Sequence, residues 1–360
     1  MEKLKNGLAI SIIPQVILVN WFAGYPELVE KYYSEGIYPI ISTFLRTLFG
    51  WVPFSMGDVF YTILVISVIR YLYINAKSIR KEPKRFLRHI GMFLSLAYFF
   101  FYLFWGMNYY RLPINEKLNF KAEYTTEDLV DFTYNLANAT NYIHYAITKD
   151  HTQPVKVPYS TKEIYQKTLE SYETAAKVFP NFEYKIPSIK SSLYSLPLTY
   201  IGYGGYINPF TNEAQVNAIA PSLRLPSISA HEIGHQLGYS SESATNFIGL
   251  LITRSNTDIY FKYAAHSHAL AYCLSDLRTK DEKAYNTILS KLSIGIKKNY
   301  QELNAFWAKY ENPTEPIFKA MFDTFLKANN QQQGIQSYNA VVGLLVNSYE
   351  DYWFDLNLHK

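Results

Sequence analysis

Residues 229–247 read Ser-Ala-His-Glu-Ile-Gly-His-Gln-Leu-Gly-Tyr-Ser-Ser-Glu-Ser-Ala-Thr-Asn-Phe, and the reading of the fold turns on them. His231 and His235 are four apart, a spacing that sets two side chains on one face of an α-helix, so both imidazoles can aim a nitrogen at one Zn²⁺. Glu232 then sits beside the ion rather than on it, placed to take a proton from an attacking water. Pro226 and Ser227 mark a helix start. Gly238 marks the stop, since it can take the left-handed conformation that turns the chain back.

Zinc in a catalytic site needs a third protein ligand and an open fourth position. Glu242 is the nearest carboxylate, in the first turn of an expected helix that starts within 240–246 and runs on through Ile252. Its alternative role is a charge at a helix N-terminus, favoured there by the dipole. Asn246, four residues on, shares its face and suits a supporting hydrogen bond. His266 and His268 compete for the third place. Two apart, they cannot share a helical face, and each reads more simply as an ordinary helix histidine.

Upstream, residues 203–217 read as a hairpin with Asn208–Asn212 as its turn and Ala214, Val216 and Ala218 alternating with polar residues. A strand so short of bulky side chains is expected to lie along a cleft rim, where it can pair with an extended peptide, with a plain structural hairpin as its alternative. Downstream, Tyr263 is a candidate donor to an oxyanion, with a core role as its alternative. Cys273, among Ala271, Tyr272 and Leu274, reads as a buried apolar residue.

Around this centre the pattern is helical. Thr125 and Thr126 before Glu127 and Asp128 predict a helix over 126–148, and Ser160 with Glu163 is a capping-box pattern opening a helix to about Val178, before Pro180. Residues 186–220 lose the helical period and predict strands and turns; helix resumes from Pro226, mostly to the C-terminus. The expected class is mainly α with a small β-sheet, an α+β domain over 111–360, preceded by three transmembrane helices in a membrane anchor over 1–110.

The anchor rests on three apolar runs, Leu8–Ala23, Val59–Ile74 and Ile90–Met107, predicting spans at about 8–24, 57–75 and 89–108. Trp21 and Phe22 stand where a signal peptidase needs small residues, so the first span is expected to stay uncleaved. Lys3 and Lys5 precede the first span, and Lys77, Arg80, Lys81, Lys84, Arg85 and Arg88 lie between the second and third. The positive-inside rule then puts the N-terminus in the cytoplasm and the C-terminal domain outside it, on a multi-pass protein of the cell (inner) membrane. Tyr38–Phe54, aromatic and nearly uncharged, is expected as a helix in the outer headgroup layer.

Composition narrows the function. At 360 residues and 49% hydrophobic the chain is no disordered polymer, and a net charge of +4 gives no reason to expect a nucleic-acid partner. After residue 110, 23 basic residues face 24 acidic ones. A single cysteine excludes both an intramolecular disulfide and a thiolate zinc cluster. The expected partners are the lipid bilayer and a peptide or protein substrate; no feature specifies an oligomer.

Through His231–His235 the chain resembles zincin-type metallopeptidases. More closely, it is similar to a bacterial family of unknown function with multipass N-terminal anchors and an extracytoplasmic zincin-like domain. Pro197–Gly202, Tyr206–Ala214, His231–Gly238 and Glu242–Phe247 carry that likeness. Members of that family often place a second acidic residue two positions after the one matching Glu242, where this chain has Ala244. Were that second carboxylate the family's ligand, Glu242 would have to take its place here. The resemblance implies peptide hydrolysis, and with it the spacing gives Zn²⁺ on His231, His235 and Glu242, with Glu232 as the catalytic base. A non-catalytic zincin-like scaffold or binding protein is the alternative. An intramembrane protease is disfavoured, because Arg224, Gln236, Ser240, Ser241 and Asn246 crowd the motif with polar groups.

Overall fold

The computed structural model describes residues 2–121, 123–331, 340–348 and 353–354. Three helices are long and apolar enough to cross a membrane: Glu2–Ala23, Met56–Lys81 and Pro83–Phe104. Each holds an expected apolar run, and the second and third extend through the basic stretch between them, where Lys and Arg are good helix formers. Pro14 lacks the N–H that the Ile10 carbonyl would accept, and the first helix breaks at Ser11 into Glu2–Ile10 and Ile12–Ala23. The Ser11 hydroxyl meets Ser95 Oγ of the third helix at 2.8 Å, and Gln15 donates to the same oxygen at 2.9 Å. With the Glu2–Arg88 ion pair, these contacts set the first and third helices parallel. Ile63, Ile66 and Ile69 of the second point away from the protein. Apolar surface of that kind is covered by lipid, and the chain is a membrane protein.

Between the first two spans the backbone winds more loosely. Val29–Ile37 is a π-helix, closed where the Tyr38 N–H reaches the Tyr33 carbonyl five residues back. The helix Tyr38–Phe49 follows, ending ahead of Pro53 and so short of the expected Phe54. It does not simply lie in a headgroup layer. Ile40, Phe44 and Leu48 are exposed on one face, while Tyr38, Ser42, Leu45 and Arg46 are buried against the C-terminal domain.

In that domain Thr126–Thr148 and Thr161–Ala176 both open on complete capping boxes, Thr125 with Asp128 and Ser160 with Glu163. Each cap contributes about 1 kcal/mol by satisfying otherwise orphaned N–H groups. The second of these helices ends two residues before Val178. The core gathers where Ile259–Lys280 packs against both Thr126–Thr148 and Glu242–Ser255: Leu129, Leu136, Phe247, Leu251, Leu270 and Cys273 are all buried there, Cys273 as expected. Helices continue to Val341–Val346; the chain beyond 354, expected as helix, lies outside the described residues.

Three short strands form one sheet in the order β1 (Ile189–Ser191), β3 (Glu213–Val216), β2 (Gly205–Asn208). β1 runs parallel to β3 with Ile189 opposite Ala214, and β2 runs antiparallel to it with Gly205 opposite Val216. The hairpin is where it was expected, with one correction. β3, the Ala/Val-alternating strand, is central and paired on both sides, so the strand bordering a cleft is β2.

Candidate metal centre

The helix Leu225–Gln236 carries the two histidines, with Pro226 in its first turn, where no N–H is needed. Its far end depends on Gly238, whose φ of +84° folds the chain back as expected; a Cβ there would also fall 2.9 Å from the Tyr38 ring. The fold-back delivers the Tyr239 carbonyl to His235 Nδ1 at 2.7 Å. With Nδ1–H donated there, the lone pair of His235 stands on Nε2. His231 Nε2 lies 3.1 Å from it, the two rings nearly perpendicular.

Glu242 opens the next helix and turns its carboxylate onto the same point. One oxygen is 3.4 Å from His231 Nε2 and the other 3.8 Å from His235 Nε2. Tetrahedral zinc with bonds of ~2.0–2.1 Å holds its ligand atoms ~3.3 Å apart. Separations of 3.1, 3.4 and 3.8 Å straddle that value, and the donor set of two imidazoles and one carboxylate suits the ion. His231, Glu232 and His235 also offer atoms within 4.8 Å of one another. Of the two carboxylates only Glu242 meets both imidazoles at ion-pair distance, which leaves Glu232 beside the pair. Glu232 Oε2 is buried and, among the described residues, has no hydrogen-bond partner.

Burial dominates the local electrostatics. It pushes the Glu232 carboxyl up to about 8, against the pull of His231 and with the repulsion of Glu242. It takes His235 down to about 4, helped by the neighbouring His231 charge. For His231 burial also opposes the charge, but the hydrogen bond its ring donates to Glu242, the charges of Glu232 and Glu242, and the Asn246 side chain outweigh it and hold the ring above its ordinary value. Asn246 lines the same cleft, its Nδ2 unpartnered among the described residues.

The cluster lies in a cleft of about 870 Å³. β2 forms one side, close enough that a Cβ on Gly205 would fall 2.7 Å from Glu232 Oε1. His268 also lines the cleft, stacked on Tyr272 at 5.0 Å, with its Nδ1 unpartnered among the described residues. His266 does not: its nitrogens meet the carbonyls of Lys262 and Trp353 in the core. Tyr263 is not brought to the cleft either. It is fully buried, and its hydroxyl donates to Asn299 Oδ1 at 2.8 Å.

What local sequence does not reveal is the support from the anchor. Tyr38 OH donates to the Gln236 carbonyl at 2.9 Å and Trp105 Nε1 to the His235 carbonyl at 3.1 Å, and just past the anchor Arg111 donates to the Gly238 carbonyl at 2.9 Å. Ser42 reaches the Gln236 carbonyl at 3.2 Å. Tyr38, Ser42 and Trp105 thus serve the last two carbonyls of the histidine helix, which have no partners within the helix, and the His235 carbonyl also accepts from the Gly238 N–H at 3.0 Å. Trp105 also packs edge-on against the His235 ring.

No curated protein and no solved structure matches the chain. One family does, described as Protein of unknown function (DUF3810), over residues 33–346. That range takes in the docked helix from Tyr38, the second and third spans and the whole histidine site, so anchor and domain match as one unit. The chain belongs to this family.

Proposed function

We propose that the protein is a membrane-anchored, zinc-dependent metallopeptidase of zincin type, with His231, His235 and Glu242 as metal ligands and Glu232 as the catalytic base. The supporting observation is the convergence of two imidazole nitrogens and the two oxygens of the Glu242 carboxylate at 3.1–3.8 Å in the cleft, with an unpartnered oxygen of Glu232 beside them. A zinc ion bound there supplies a Lewis acid that polarises a carbonyl and makes water nucleophilic near neutral pH.

The chain's own residues do the rest. Glu232, ionised once a neighbouring cation's charge offsets its burial, accepts a proton at Oε2 from the attacking water and returns it to the leaving amine. The water oxygen and one hydrogen end on the acyl carbon, the other hydrogen on the amine nitrogen, and the C–N bond breaks. β2 borders the cleft and has a strand on one side only, so its outer edge can hold an extended peptide by main-chain hydrogen bonds. The distribution of Lys and Arg supports a domain outside the cytoplasm, with the basic helix ends between Lys77 and Arg88 inside.

The test is metal content and peptide cleavage by the full chain purified in detergent. Wild type is expected to hold stoichiometric zinc and cleave peptides. Glu232→Gln should keep the zinc and lose cleavage by about 10²–10⁴-fold. His231→Ala should lose the zinc. A chain without zinc whose Glu232→Gln variant matches wild type would instead be a non-catalytic zincin-like scaffold.

A further inference from the structure

Two walls of the cleft come from the membrane spans. Tyr61, in the second turn of Met56–Lys81, and Phe101, in the last turn of Pro83–Phe104, both line it. At the hairpin tip Phe210 lines it too, with its ring 5.6 Å from Phe60 and 6.3 Å from Tyr61. Phe60 is itself exposed on the second span. The surface of the cleft therefore runs on into the lipid-facing surface of the spans.

Facing these residues is the helix Glu315–Ala328. Phe318, Met321, Phe322 and Phe325 form a stripe at positions i, i+3, i+4 and i+7, and all four line the cleft. Phe322 touches Tyr203 at 5.2 Å and Phe325 touches Phe101 at 6.2 Å, yet Phe318, Met321 and Phe325 stay exposed. Apart from Glu232 and Glu242, no Asp, Glu, Lys or Arg lines the cleft among the described residues. Nothing there compensates a charged substrate side chain, whose desolvation would go unanswered. Segments with several large apolar side chains in a row are seldom free in water. They occur in folded cores and where a chain leaves a bilayer, and this cleft opens at the second of these places.

We infer that the substrate is a polypeptide still anchored in the bilayer, held with large apolar side chains on both sides of the bond to be cut and cleaved close to where it leaves the lipid. The inference rests on the hydrolase reading above. Its test uses the full chain, zinc-loaded, in liposomes with three reporters. The first is a short Ala/Leu/Phe segment placed directly outside a single transmembrane helix. The second is the same segment without the helix, and the third keeps the helix but brackets the central bond with Asp.

The first reporter is expected to be cut about 100-fold faster than the second, the gain that tethering to the enzyme's own surface provides. The third should resist. Met321→Lys, at an exposed position, is expected to slow the first reporter at least about tenfold and to speed the third, with zinc content unchanged. Equal rates on the first two reporters, or on the first and third, would overturn the substrate class while leaving the hydrolase intact. No cleavage beyond that of Glu232→Gln on any reporter would remove the hydrolase and this inference with it.

Discussion

Gly205 leaves Glu232 the room it occupies. A methyl group there would meet the Gln215 carbonyl at 2.5 Å and Glu232 Oε1 at 2.7 Å, both below any ordinary contact. The backbone partner cannot yield without opening the β2–β3 ladder, so the carboxylate must move. Gly205→Ala is therefore expected to cost about 1–3 kcal/mol of stability and to lower peptide hydrolysis about 100-fold through misplacement of the base. Zinc stoichiometry should stay at the wild-type value, because the displaced group is not a ligand; loss of zinc in this variant would count against that division of roles. His231, Glu232, His235 and Glu242 were all legible in the sequence, since helical spacing and one glycine turn are local signals. His268 was not. Being two residues from His266 says only that the two diverge, and which of them faces a cleft is settled by the packing of Ile259–Lys280 against the histidine helix.

Helices in the domain are tied together through their caps. Asp258 opens Ile259–Lys280 by accepting from the Tyr260 N–H at 2.9 Å, and it also accepts from Tyr159 OH and from Lys167 Nζ at 2.9 Å. Burial would raise its pKa, but the hydrogen bonds and the Lys167 charge outweigh that and hold it below the ordinary aspartate value. A carboxyl depressed in the folded state stabilises the fold above its unfolded pKa, and that contribution fades as pH falls through the folded one. Asp258→Asn keeps a good capping residue and removes the charge. It is expected to destabilise by about 1–2 kcal/mol at pH 7, the worth of a charge-assisted hydrogen bond set, and by progressively less below pH ~4. Thermal unfolding of both proteins at the two pH values checks this, and a gap that widens in acid would refute it. Elements of this kind were readable because a capping box is written within four residues. The π-helix Val29–Ile37 and the parallel pairing of β1 with β3 had no such local mark: one follows from how Tyr33 and Tyr38 pack, the other from partners about 25 residues apart.

Across the whole molecule, anchor and domain share their buried polar groups. Glu213, fully buried, pairs with Lys190 at 2.9 Å and accepts from the Met56 and Gly57 N–H groups at the start of the second span, where the helix dipole favours a negative charge. Asp58 in turn accepts from Ser192 Oγ at 3.0 Å, from the Leu193 N–H at 2.7 Å and from Tyr206. The sequence divides at residue 110, where membrane-like composition stops, yet composition reports only the solvent each segment prefers. It says nothing of Tyr38 meeting Gln236 across 198 positions. Cutting the chain at that division takes Tyr38 and Ser42 from the Gln236 carbonyl, Trp105 from the His235 carbonyl and the Met56 and Gly57 N–H groups from Glu213. A buried group left unpaired costs about 1–3 kcal/mol, and the fragment also exposes the apolar face that Tyr38 and Trp105 cover, against the 5–15 kcal/mol that typically holds a domain folded. Residues 111–360 expressed alone are therefore expected to aggregate or to be degraded by protease within minutes, and to hold no stoichiometric zinc, under conditions where the full chain in detergent survives. A soluble, protease-resistant fragment with zinc bound would mean that the histidine helix needs no cap from the anchor. Tyr38→Phe separates the cap from the bulk of the interface: it keeps the ring, removes the hydroxyl that meets the Gln236 carbonyl at 2.9 Å while Ser42 keeps its own contact at 3.2 Å, and is expected to lower the unfolding temperature of the full chain without releasing its zinc.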